Sequence, residues 1–303
     1  MWSTFESAGR GAAEVAGLLG MMTLGAGVIW VLVTMLALHA MRPNRARWTE
    51  RAGLRLIAGG GVVLPILVLS ALLLIGMREL SRQLMAAPAG AVRVHVSGEQ
   101  WWWRVRYEQP GGPPIELANE LRLPRGQVSE VVLSSVDVIH SFWVPSLAGK
   151  MDMIPGRVTR LVLEPERTGF YRGVCAEYCG ASHARMGFGV EVMEPPAFAK
   201  WIAAQARATA VLDTPGSRIF ASAGCAACHT VRGTGATASI GPDLTHVGSR
   251  LTIAGGALPN TIEHLERWLA NPAAIKPGSL MPPFGSLASA DLRALAAYMK
   301  DLQ

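Results

Sequence analysis

The chain has 303 residues, of which 50% are hydrophobic and 17% charged, with a formal net charge of +6. Residues 1–90 hold 8 Lys+Arg against 4 Asp+Glu, and residues 91–303 hold 20 against 18. The larger part is therefore close to neutral and has no basic stripe, which excludes a nucleic-acid-binding reading of the high pI. A mean hydropathy of +0.28 instead places part of the chain in lipid.

Two uncharged apolar runs come first, at about residues 15–41 and 56–77, and each is long enough to cross a hydrocarbon core as a helix. Between them lie Arg42, Arg45, Arg47, Arg51 and Arg55. That is the pattern of a short cytoplasmic loop, so the N-terminus and everything after about residue 80 are expected on the outer face. A cleaved signal peptide fits the first run poorly. Its flank carries Glu6, Arg10 and Glu14 rather than a basic stretch, and the run is long.

After the second run the pattern changes to short strands. Val92, Val94 and Val96 alternate, Glu130–Leu133 and Arg157–Leu163 are β-rich, and Phe188, Val190 and Val192 alternate again. Gly/Pro turns separate them, and the pattern predicts an all-β sandwich over 91–194. On a loop between two of these strands stands Cys175-Ala-Glu177-Tyr-Cys179-Gly-Ala-Ser-His183-Ala-Arg-Met186. Two thiolates, an imidazole and a thioether form a soft donor set suited to copper. A structural zinc site is the competing reading, disfavoured by the thioether. His140, in Asp137-Val-Ile-His140-Ser-Phe-Trp, is a further donor that a sandwich can bring beside the loop.

Helical signals follow. A linker helix is expected within 195–212, from Pro196 to about Ala210. Thr214-Pro215 is an N-cap and first-turn pair, Asn260 with Glu263 resembles a capping box, and Ser289 is read as the cap of a last helix. On that helix Leu292, Leu295, Tyr298 and Leu302 share one face. Within 213–303 lies Cys225-Ala-Ala-Cys228-His229, the pattern for covalent attachment of haem c with His229 as proximal ligand. Met281, in Ser279-Leu-Met281-Pro-Pro283, is the candidate sixth ligand, and methionine/histidine ligation raises the haem potential. His246 is read as a packing or hydrogen-bonding histidine, Met299 as helix packing and His264 as solvated. His95 and His39 receive no role. All four cysteines fall in these two motifs, so none is left for a structural disulfide.

His140 together with Cys175-x-Glu177-x-Cys179-x3-His183-x2-Met186 resembles the copper site of cytochrome c oxidase subunit II. Gln100-Trp101-Trp102-Trp103 and Met153-Ile-Pro-Gly-Arg157 match that family in order, and the resemblance covers about residues 15–194. With the haem motif behind it, the chain resembles subunit II of a caa-type haem–copper oxidase. The resemblance implies a two-helix transmembrane hairpin over 1–90, a cupredoxin-like Greek-key sandwich over 91–194 and an all-α class I cytochrome c domain over 213–303. It implies a dinuclear copper centre bridged by Cys175 and Cys179, with His140 and His183 each on one copper and weak axial ligation from Met186 and the Glu177 carbonyl. The Glu177 side chain would also reach a magnesium shared with subunit I, and Trp101 would be the electron entry residue. For any single Trp of the run, core or interface packing is the plainer alternative.

The implied protein sits in a bacterial plasma membrane as a two-pass subunit with its large domains outside. It would pass electrons from its haem to copper and on to subunit I, where oxygen is reduced to water and protons are pumped. Its partners would be subunit I and other oxidase subunits, a soluble or membrane cytochrome c or similar donor, and lipid, with no nucleic acid. No catalytic acid, base or nucleophile is assigned in this chain. An equivalent subunit of a nitric oxide reductase and a stand-alone membrane-tethered carrier are the rival expectations. One departure stands out. Aligned on Pro65, Ala58 and Gly61 occupy the positions of a Glu and a Trp in many subunit II proteins, and that Glu is associated with a proton entry path.

Overall fold

The computed structural model describes residues 6–43, 48–84, 86–210 and 212–303. Arg45 and Arg47 of the arginine loop lie outside the described residues. The chain forms two compact units: Ala13–Met85, and the residues before Ala13 together with those from Ala86 onward.

The first of these units is helical. Helix α1 is Arg10–Met41. Helix α2, Glu50–Ala58, is capped by Thr49, whose hydroxyl accepts from Ala52 N at 3.3 Å. A π-helical turn, Gly59–Val63, then runs into α3, Leu64–Leu84. Pro65 explains the turn. It has no N–H for Gly61, and its ring would crowd that carbonyl. The helix widens locally, and Leu64 N reaches back five residues to Gly59 O. Both apolar stretches are long and apolar enough to cross a membrane, with none of either window buried, and they suggest a membrane anchor.

The other unit begins with ten strands: β1 Val92–Glu99, β2 Trp102–Gln109, β3 Gly112–Ala118, β4 Glu120–Pro124, β5 Ser129–Ser135, β6 His140–Trp143, β7 Met151–Met153, β8 Thr159–Leu163, β9 Gly169–Cys175 and β10 Gly187–Met193. They form two five-stranded sheets, ordered β3-β2-β1-β5-β8 and β4-β10-β9-β6-β7. The β1–β5 and β10–β4 pairs are parallel and the rest antiparallel. Alternation decides which side chains face inward. Val94, Val96, Val131, Leu133, Leu161, Leu163, Val190 and Val192 all enter one core with Trp103 and Phe142. Each such aliphatic side chain contributes about 1.5–3 kcal/mol by leaving water.

Helix α4, Pro195–Gln205, is shorter than its sequence suggests and lies against this sandwich. Trp201 meets Tyr107 edge-on at 5.5 Å, Phe198 lies 6.3 Å from Tyr107, and the Arg122 guanidinium covers Trp201 at 5.0 Å.

The last part is mainly helical: α5 Pro215–Ser222, the short hairpin β11 Thr252–Ile253 and β12 Leu258–Pro259, α6 Ile262–Ala270, α7 Pro272–Ile275 and α8 Ser289–Asp301. Thr214 caps α5, as the sequence predicts, and does so in a reciprocal box with Ser217. The other two caps differ. Thr261, not Asn260, caps α6, because the Asn260 amide is turned inward to the carbonyls of Val247, Gly248 and Arg250. Ser289 is already inside α8, and the residue before it, Ala288, offers no side-chain cap. The apolar face of α8 buries Leu295, Tyr298 and Met299, with Leu302 just beyond its end, and Tyr298 meets Phe220 of α5 edge-on at 5.7 Å.

Candidate metal and haem centres

The copper candidates converge at one end of the sandwich. His140 opens β6 and Cys175 closes β9, and these neighbouring strands pair Phe142 with Cys175. The following loop is pinned by its main chain: Ala176 N donates to Ser141 O at 2.9 Å and Cys175 N to Met186 O at 3.2 Å. Inside that frame Cys175 Sγ and Cys179 Sγ lie 3.8 Å apart, and both cysteines are buried and unbridged. His140 Nδ1 is 3.8 Å from Cys175 Sγ, and His183 Nδ1 is 3.5 Å from Cys179 Sγ. Met186 Sδ lies 3.7 Å from Cys179 Sγ, and the Glu177 carbonyl lies 3.2 Å from Cys175 Sγ. The donor atoms of His140, Cys175 and Cys179 all fall within 4.8 Å of one another. All six predicted residues are thus brought together: His140, Cys175, Cys179 and Met186 are buried, His183 is half-buried and Glu177 is exposed, and a set of two thiolates, two imidazoles and a thioether fits copper.

The contact between the two thiols drives the Cys175 thiol down, against the cost of burial, and drives Cys179 up, where burial adds to the effect. Burial opposes charge on His140, but its bonds with Cys175 and Asp137 outweigh it and raise its pKa.

Two supporting residues escape a reading of donor types alone. Asp137 Oδ1 accepts from His140 Nε2 at 2.8 Å, which fixes the tautomer and leaves Nδ1 for a metal. Its i, i+3 spacing before His140 is the signal that could have found it. Gly98 of β1 faces the same imidazole. A Cβ there would sit 2.6 Å from His140 Cδ2, so the ring needs a residue without a side chain.

The aromatic run divides three ways. Trp103 is buried and donates to Met186 O at 3.3 Å. Trp102 stacks under the Arg104 guanidinium at 4.6 Å. Trp101 Nε1 donates to Cys179 O at 3.0 Å, and Gln100 Nε2 donates to the same carbonyl at 2.7 Å.

In the helical part, Cys225, Cys228, His229 and Met281 line one predominantly apolar cavity, with Leu265, Leu269 and Met299 behind them. His229 Nδ1 donates to Pro242 O at 2.8 Å, which leaves Nε2 as the ligating nitrogen. Burial lowers the His229 pKa, favouring the neutral imidazole that a metal requires. Neither cysteine is in a disulfide. Two thiols, a neutral imidazole and a thioether around an apolar cavity fit a covalently held haem.

The remaining histidines take other duties. His246 is buried and donates to Arg207 O at 3.0 Å. His264 Nδ1 lies 2.7 Å from Thr261 Oγ1, and His95 pairs with Glu108 at 2.6 Å. Met299 packs within its helix surface, as expected, but also faces the haem cavity.

Residues 113–193 match the family "Cytochrome C oxidase subunit II, periplasmic domain", and residues 214–303 match "Cytochrome c". A cytochrome c oxidase subunit 2 from Cereibacter sphaeroides is 30% identical over 238 residues, 65% of this chain and 77% of that relative. The chain belongs to the cytochrome c oxidase subunit 2 family. Another subunit 2, from Alkalihalophilus pseudofirmus, is 37% identical over 216 residues, 70% of this chain. The chain spans only 61–63% of the length of that relative and of two Bacillus relatives. Among solved structures, the periplasmic domain of subunit II of cytochrome oxidase from Bradyrhizobium japonicum matches at 30% identity and a TM-score of 0.37, covering 40% of this chain and 96% of that one. As a member of that family with a cytochrome c domain, the chain combines a cupredoxin-like sandwich and a helical cytochrome c domain, and the two families suggest copper and haem c.

Proposed function

We propose that this chain is the electron-transfer subunit II of a haem–copper terminal oxidase, carrying electrons from haem c to a dinuclear copper centre and on to subunit I for reduction of oxygen with proton pumping. When bound, the copper pair and the haem would supply reversible one-electron chemistry that the side chains lack. Cys175, Cys179, His140 and His183 would hold the copper pair, with Met186 and the Glu177 carbonyl completing the set. The Glu177 carboxylate would face a magnesium at the subunit I interface. Cys225 and Cys228 would anchor the haem, and His229 and Met281 would hold its iron.

The chain's own residues do the positioning. Asp137 orients His140, Pro242 O orients His229, and Gln100 and Trp101 hold the Cys179 carbonyl. Trp101 would be the electron entry residue, as the resemblance implies, and its bond to Cys179 O and its closeness to Gly278 support that reading. The membrane helices, the sandwich, the linker and the haem module divide at about residues 90, 194 and 212. Both redox modules would lie on the outer face of a bacterial plasma membrane, bounded by lipid, and a soluble or membrane cytochrome c would be the donor.

The observation that carries this reading is the convergence of six donors from β6, β9 and one loop, in a chain that also holds CxxCH. The test is purification of the intact complex. Copper analysis, a mixed-valence copper EPR signal, a haem c spectrum and oxygen uptake with reduced cytochrome c are expected together. Zinc, or a single copper ion, at the Cys175–Cys179 site would refute the reading.

A further inference from the structure

The sandwich and the haem module touch along a seam inside one compact unit, and one residue in it is out of character. Lys276, at the end of α7, is only 4% exposed. Its ammonium donates to the main-chain carbonyl of Trp101. Among the described residues no carboxylate pairs with it. A lysine so buried is costly unless its cation is satisfied, and burial here pulls its pKa down to about 7.

The surroundings are shaped to admit it. Gly255 adopts a φ of +69°, and a Cβ there would sit 2.6 Å from Lys276 Nζ. Gly255 O also accepts from Gly187 N, directly after Met186, at 3.0 Å. On the other side of Lys276 the chain continues as Pro277 and Gly278. Ser182 Oγ, from the copper loop, donates to Pro277 O at 2.8 Å. Gly278, at φ +84°, lies under the Trp101 indole, where a Cβ would fall 2.5 Å from Cη2. Three residues further on is Met281.

We propose that Lys276 is a positioning residue that fastens the methionine loop of the haem module to the main chain at Trp101. This rests on the electron-transfer reading for its purpose but not for its test. The other seam contacts, such as Leu251 N to Glu120 Oε1 at 2.8 Å and Arg104 Nη2 to Ser239 O at 2.9 Å, flank the junction. Lys276 sits where the copper loop, the indole and the methionine loop meet.

The test is hydrogen exchange on the intact wild-type complex and on K276M and K276R. In K276M, amides of 276–281 and 100–103 exchange faster by about tenfold or more, the scale of a lost hydrogen bond from a charged donor. K276R, which keeps a cation that can reach a carbonyl, recovers most of that protection. The optical signature of methionine ligation and the copper EPR signal stay unchanged in both. Unaltered exchange in K276M, or equal loss in K276R, overturns the proposal. Should K276M fail to retain haem, the wild type decides: the two segments exchange through a common opening if fastened, and independent exchange refutes the link. Failure of the functional reading is separable, since it removes the copper or haem signal from the wild type itself.

Discussion

The sandwich and the cytochrome c domain arrange their candidate ligands in opposite ways. In the sandwich the donors are already together. His140 and Cys175 sit at the ends of adjacent strands, main-chain bonds close the loop around them, and a continuous core of Trp103, Phe142 and Phe188 lies directly behind. In the haem module the apolar residues surround a space. Leu265, Leu269 and Met299 line the cavity beside Cys225 and Met281 as well as packing on each other. On the proposed reading, the sandwich core packs directly behind its donors, whereas the helical domain would gain stability from a bound haem, as a ligand stabilises the state that binds it.

The strongest way to break this contrast is to remove haem attachment. In C225A/C228A the region 213–303 is expected to lose most of its resistance to protease, while the copper EPR signal of the same chain persists. Loss of both together would mean that the sandwich is not self-sufficient. G98V attacks the sandwich instead. Its side chain meets the His140 ring, and overpacking of about 1–3 kcal/mol should displace the imidazole and empty the copper site, read as copper per haem c. D137A leaves the fold intact but frees the His140 tautomer, so copper affinity should fall by about 10–100-fold in chelator competition. T214A is the mildest. Loss of the α5 cap should cost about 1 kcal/mol, seen as earlier unfolding of the haem module alone, with copper binding unchanged.

The same contrast explains what could be read from residue order. The donors were legible because most stand in two short segments, and CxxCH carries its chemistry in five residues. The sandwich was legible from period-two alternation at Val94–Val96 and Val190–Val192. Gly98 was not, because its role depends on strand register and on a partner some forty residues away, while Asp137 left only its i, i+3 spacing before His140 as a signal. The helix caps show the limit of local pattern. Asn260 has the right side chain for a cap, but tertiary carbonyls claim its amide and the next residue, Thr261, takes the position. Lys276 was illegible altogether, since a lysine among prolines and glycines reads as a solvated loop until the fold buries it.

The segment joining the two modules has a consequence of its own. Helix α4 is glued to the sandwich through Tyr107 and Arg122, and beyond it Thr209 N bonds Arg232 O at 3.2 Å while Arg207 O is held by His246. A strap secured at both ends is no leash. On the proposed reading, the cytochrome c domain would be a fixture rather than a shuttle, and an internal hand-over would need no search. Changes in viscosity or ionic strength should then register at the outside encounter with a mobile donor and leave the internal hand-over untouched.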